Sequence, residues 1–115
     1  MGFFSNLFGS KKFDSVNQQQ AIDIVDEYNK TQILDVRTPE EYKQGGIKGS
    51  ININVQDGAF KQKVDTLDKD GVYVVYCKGG VRSKKACNQM VDMGFKTVFN
   101  LKGGIMRWRG EYKMR

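Results

Sequence analysis

Val72, Tyr73, Val74, Val75 and Tyr76 form an unbroken apolar run. With no polar residue alternating among them, neither face of such a strand can meet water, so the chain must supply cover on both sides. The centre of a parallel sheet meets that demand. The run gives way at Cys77, Gly79 and Gly80 mark a loop, and Ser83, Ala86, Cys87, Met90 and Val91 then recur on one face of a helix that Gly94 closes. Strand, tight loop and helix in that order open a right-handed crossover, whose next strand returns parallel to the first.

The rest of the chain repeats this alternation. Phe13 to Val16 reads as a short strand, and Asn17 with Gln20 caps a helix whose stripe is Ala21, Ile22, Ile24, Val25 and Tyr28. Gln32 to Val36 is the next strand. Thr38 and Glu41 form a capping box around Pro39, starting a short helix that Gly45 and Gly46 end. Ile51 and Ile53 alternate with Asn52 and Asn54 as a strand, a short helix spans Ala59 to Val64, and a turn at Asp68 to Gly71 leads into the apolar run. Val98 to Leu101 is the last strand, followed by Gly103, Gly104 and a short helix around Trp108. This pattern predicts an α/β domain over residues 13–115, with a mostly parallel five-stranded sheet flanked by helices.

Residues 1–12 differ in composition and read as an appendage. Phe3, Phe4, Leu7 and Phe8 sit at helical spacing before Gly9, Ser10, Lys11 and Lys12. The stretch is too short and lacks the basic start of an export signal. Contact of residues 3–8 with an anionic membrane is one reading, but two lysines pull only weakly on such a surface. Docking on the chain's own domain, or no fixed structure, is preferred.

The chain has no histidine and two cysteines, too few soft ligands for a zinc site and too few pairs for a disulfide framework. No metal and no cofactor are expected, and a reducing cytoplasm suits the two thiols. Charge is uneven: residues 1–77 carry nine basic against eleven acidic groups, and residues 78–115 ten against two, within a net charge of +6. A positive field so placed favours an anionic ligand near the C-terminal third. No interleaved aromatic platform for nucleic acid accompanies it beyond Trp108 and Tyr112.

Chemistry concentrates in Cys77-Lys78-Gly79-Gly80-Val81-Arg82-Ser83. Open α/β sheets bind ligands outside the carboxyl ends of their strands, which is where this loop falls. The helix dipole, the unpaired first-turn amides, Lys78 and Arg82 should all favour a Cys77 thiolate. The two glycines let successive amides aim at one point, as an anion nest. Cys87 lies on the apolar stripe with Ala86 and Met90 and is read as packing.

Four stretches resemble the rhodanese-like sulfurtransferases: Leu34-Asp35-Val36-Arg37-Thr38-Pro39-Glu40-Glu41-Tyr42, Gly46-Ile47-Lys48-Gly49-Ser50-Ile51-Asn52-Ile53, Val75-Tyr76-Cys77-Lys78-Gly79-Gly80-Val81-Arg82-Ser83, and Leu101-Lys102-Gly103-Gly104 ahead of Trp108. The resemblance implies a single-domain rhodanese-like fold and a sulfane sulfur carried as a persulfide on Cys77. Its donor would be a small anion such as thiosulfate, and its acceptor a thiol or a protein. It also implies that Lys78, Gly79, Gly80, Val81, Arg82 and Ser83 cradle the sulfur and the anion. Asp35 and Arg37 would lie near the site; they are read as a structural ion pair, with Glu41 as a candidate third member. Gly46 stands where the family often has histidine, and Asn54 where it often has proline. Competing readings are a cysteine-dependent phosphatase or arsenate reductase of related fold, and a non-catalytic binding module. Phosphate-gripping loops of this kind typically place one residue more between cysteine and arginine, and a retained cysteine argues against the module.

Overall fold

The computed structural model describes residues 13–110, so the appendage expected at 1–12 lies outside the described residues, as do residues 111–115. Strands and helices alternate as β1 (Asp14–Val16), α1 (Gln18–Glu27), β2 (Gln32–Asp35), α2 (Pro39–Gln44), β3 (Ile51–Asn52), α3 (Phe60–Val64), β4 (Val72–Tyr76), α4 (Val81–Asp92) and β5 (Thr97–Leu101), followed by a 3-10 turn at Gly104–Arg107. The strands join in one five-stranded sheet of order β1-β5-β4-β2-β3. Every pairing is parallel. The apolar run therefore lies at the middle of the sheet, hydrogen-bonded on both edges and covered on both faces.

Local signals account for the helix starts. The Asn17 side chain accepts the Gln20 amide and the Gln20 side chain returns to the Asn17 amide, while Thr38 and Glu41 close the same reciprocal box at α2 with Pro39 in its first turn. β1 and α3 start one residue later than expected from the sequence, β5 one earlier, and β3 ends at Asn52, short of Ile53 and Asn54; two further ends differ for a visible reason. β2 stops at Asp35, and Val36 uses its amide and carbonyl to tie Tyr76 and Val55 across the sheet end, at 2.9 and 3.1 Å. The helix expected around Trp108 is a single 3-10 turn that closes at Arg107, because Gly103 and Gly104 enter it with positive φ and the chain then extends.

Strand alternation sorts β4 between two cores. Tyr73, Val75 and Cys77 pack with Phe60 and Val64 of α3 and with Ala86, Cys87 and Met90 of α4. Val74 and Tyr76 point the other way, into Ala21 and Ile24 of α1 with Phe99 and Leu101. Cys87 is fully buried on the apolar side of α4, and burial raises its thiol well above the ordinary range. Among the described residues, no helix is long and apolar enough to cross a membrane.

Leu34 is fully buried beside β4. Leu34→Ala should lower stability by about 2 to 5 kcal/mol in urea unfolding, since the packed sheet face cannot collapse into the void. A loss below about 1 kcal/mol would show that this face is loosely packed.

Candidate functional site

Cys77 lies one residue beyond β4, with its sulfur on the α4 side and 1% of its surface exposed. The chain turns back over it through Lys78, Gly79 and Gly80. Gly80 adopts φ of +104°, a conformation that glycine takes without steric cost, and α4 starts immediately after. That reversal aims amides inward: Gly80 donates to the Cys77 sulfur at 3.1 Å and Ser83 at 3.3 Å. The protonated sulfur donates to the Ser83 hydroxyl oxygen at 3.4 Å.

Burial pushes the Cys77 thiol up. The Ser83 hydroxyl and amide, with the amides of Gly80 and Gly79, outweigh it together and leave the thiol below its ordinary value. The expected nest is therefore present. Its donors are dipoles of the loop and first helical turn rather than the two cations emphasised from the sequence. Lys78 is exposed to solvent. Arg82 is turned away into a two-pronged bond with Glu41, Nη1 to Oε1 at 2.7 Å and Nη2 to Oε2 at 3.0 Å.

The Glu41 pairing corrects the expected charge network. Glu41 does not join Asp35 and Arg37; it spans from the capping box of α2 to the first turn of α4, also accepting the Thr38 amide at 3.1 Å. Asp35 and Arg37 do pair with each other: Arg37 Nε and Nη2 donate to the Asp35 carboxylate at 2.9 and 2.7 Å, and Nη2 also donates to the Gly45 carbonyl at 2.7 Å. Burial and its neighbours hold the Tyr76 hydroxyl protonated, up to about 12, and it donates to the same carboxylate at 2.9 Å. A Cβ on Gly46 would stand 2.9 Å from that hydroxyl. The space a side chain at position 46 would need is thus occupied by Tyr76.

The motif after β5 fastens the loop from below. Ile105 and Met106 donate their amides to the carbonyls of Cys77 and Lys78 at 3.0 and 3.1 Å. A Cβ on Gly104 would fall 2.4 Å from the Lys78 carbonyl oxygen and 2.5 Å from that of Cys77, so no other residue permits this approach. Two clefts flank the loop. One of about 300 Å³ is bordered by Arg37, Lys78 and Met106, and one of about 500 Å³ by Gly79, Val81, Lys84, Lys102 and Arg107. Lys84, Lys102 and Arg107 are exposed and form no ion pair among the described residues.

Val81 opens α4 with its side chain in solvent, 81% exposed, so that side chain does not line the sulfur. Two residues not singled out from the sequence reach the sulfur indirectly. Ser83 donates a short hydrogen bond to Asn100 Oδ1, and Asn100 Nδ2 donates to Ser15 Oγ at 3.1 Å. Asn100 interrupts the apolar strand Val98-Phe99-Asn100-Leu101, and that interruption was the available signal. Among the described residues, no cluster of three or more metal-ligating side chains occurs.

A sequence model of the Rhodanese-like domain matches residues 17–111. The "Putative sulfurtransferase YtwF" of Bacillus subtilis (strain 168) is 43% identical over 81 residues, covering 70% of this chain and 76% of that protein. A "tRNA uridine(34) hydroxylase" of Bdellovibrio bacteriovorus is 35% identical over 83 residues, but the match spans only 24% of that protein. Among solved structures, a rhodanese-like domain protein from Staphylococcus aureus superposes with a TM-score of 0.77 at 27% identity, covering 90% of this chain and 99% of that one.

Glu41 is pulled down to about 2, first by its bond to Arg82. A carboxylate depressed in the folded state stabilises the fold above its unfolded value, here 4.5, and loses that contribution as pH falls towards about 2. Glu41→Gln, which keeps the capping box, should cost about 1 to 3 kcal/mol at neutral pH. In acid denaturation the gap to the unsubstituted protein should close across that window. A gap independent of pH would mean that the carboxylate charge is not what anchors Arg82.

Proposed function

Because the chain belongs to the rhodanese-like domain family, we propose that it is a sulfurtransferase that carries sulfane sulfur on Cys77. The single observation that carries this reading is the buried Cys77 sulfur with two amides aimed at it and a thiol held below its ordinary value. A soft, negatively charged sulfur in that position is a nucleophile for sulfur.

In the first half-reaction the Cys77 thiolate attacks the outer sulfur of a donor such as thiosulfate. The donor's S–S bond breaks, sulfite leaves with the electron pair, and a cysteine persulfide anion remains. In the second, an acceptor thiolate attacks the terminal persulfide sulfur, and Cys77 departs as a thiolate. The site carries one negative charge before and after each transfer, so the same Gly80 and Ser83 amides serve thiolate and persulfide. Exposed Lys78, at the edge of the smaller cleft, suits the anionic end of the donor. Arg82 serves as a strut between α4 and α2, through Glu41.

The same geometry disfavours phosphate chemistry. An arginine that grips a phosphoryl group needs its donors free, and both terminal nitrogens of Arg82 are held by Glu41. The hydroxylase activity in the name of the Bdellovibrio relative belongs to a protein about four times as long as the matched stretch.

Intact-protein mass after incubation with thiosulfate should rise by one sulfur atom and fall back on addition of cyanide or a reductant. Cys87→Ser should load like the unsubstituted protein, and Cys77→Ser should not load at all. Equal loading of Cys77→Ser would remove the assignment.

A further inference from the structure

We propose that Asn100 is a positioning residue whose side-chain amide turns over when Cys77 ionises, reversing a chain of hydrogen bonds that runs from the sulfur through Ser83 and Asn100 to Ser15. The inference rests on Cys77 being the reacting group, but its test reads ionisation and not sulfur transfer.

The sheet register assembles this chain. Ser15 of β1 and Val75 of β4 are both paired with Asn100 of β5. Strand alternation puts Ser15, Asn100 and Cys77 on the α4 face, with Val16, Phe99, Leu101 and Tyr76 on the other. Ser83, on the first turn of α4, bridges them from above. Ser83 is fully buried and Asn100 is 1% exposed, whereas Ser15 opens into the larger cleft. With the thiol protonated, the chain points outward. Cys77 donates to Ser83, Ser83 donates to Asn100 Oδ1, and Asn100 Nδ2 donates to Ser15.

Ser83 has one hydroxyl proton. When Cys77 loses its own proton to water, the sulfur becomes a pure acceptor and calls for that proton. If Asn100 kept its orientation, Oδ1 would be left buried without a donor, although every buried side-chain polar atom among the described residues is paired. Rotation of the amide removes the conflict, because its oxygen and nitrogen occupy nearly the same shape. Ser15 then donates to Oδ1, Nδ2 donates to the Ser83 oxygen, and Ser83 donates to the thiolate. Both polarities leave every member satisfied. Serine hydroxyls at two points and an amide between them are what make the chain reversible; an aspartate at position 100 could only accept.

The charged and titratable groups that face the chain are Arg82 and Cys87 on α4, close to Cys77, with Lys78 in the loop. Lys84, Lys102 and Arg107 stand around the cleft at the Ser15 end. α3 offers only Phe60 and Val64 to this core. Asp14, the other polar residue of β1, alternates to the opposite face from Ser15.

Two measurements test the proposal. In isotope-labelled, unsubstituted protein, the Asn100 side-chain amide protons should show proximity to Ser15 below the Cys77 midpoint and to Ser83 above it, shifting with that same midpoint. Proximity to Ser15 alone at both ends of the titration would overturn the turnover. In the second, thiolate absorbance of Asn100→Asp should titrate about one unit higher than in the unsubstituted protein, a tenfold loss of thiolate below the midpoint. In a Ser83→Ala background the same substitution should lose most of that effect. An equal rise with Ser83 absent would mean that the charge acts through space and not through the chain. If the aspartate variant does not fold, the amide titration decides alone.

Discussion

A sulfur anion at the buried end of a central strand survives only if donors meet it, and here they come from the loop backbone and the Ser83 hydroxyl. Gly80 and Ser83 reach Cys77 at 3.1 and 3.3 Å, a geometry set by the reversal at Gly80 and by the start of α4. Burial alone would drive the thiol towards its neutral form. The loop exists in this shape because β4 ends where it does, and β4 is central because its five residues are apolar on both faces. Fold and chemistry therefore share one origin. The strand that demands cover on both sides also carries the nucleophile to the sheet's ligand-binding end.

A cradle of amides works only if its backbone is rigid, and three braces keep it so. The 3-10 turn binds the carbonyls of Cys77 and Lys78, with Gly104 allowing an approach that a single methyl would block. Glu41 ties the first turn of α4 to the first turn of α2 through Arg82. Below β2, Asp35, Arg37 and Tyr76 form a buried network that fixes the start of the 45–47 segment. None of these braces needs to touch a substrate. Preorganised donors are effective because they pay no reorganisation when charge develops.

Much of this was legible in the chain. The capping boxes at Asn17 and Thr38, the doubly covered strand and the Cys77 loop are local patterns whose physics acts within a few residues. The partner of Arg82 was not legible, because Glu41 lies 41 residues away and meets it only once β2 and β4 pair and bring α2 beside α4. The absence of histidine at position 46 likewise became intelligible only in three dimensions, where the Tyr76 hydroxyl fills the space and takes the hydrogen bonds. Asn100 stood out in the sequence only as a polar interruption of an apolar strand. Its significance depends on registers with β1 and β4 that no local pattern encodes.

The central claim is that short-range donors, the Ser83 hydroxyl and the amides of Ser83, Gly80 and Gly79, and not neighbouring cations in the main, hold Cys77 ready as a thiolate. The pH dependence of its alkylation, followed at low and at high salt, tests that claim directly. Short-range amide bonds to a buried sulfur are not screened by mobile ions, whereas attraction to exposed lysines is. The account predicts a midpoint below the free-thiol value of about 8.5 that does not move when salt is added. A midpoint at or above that value, or one that climbs to it in salt, would contradict it.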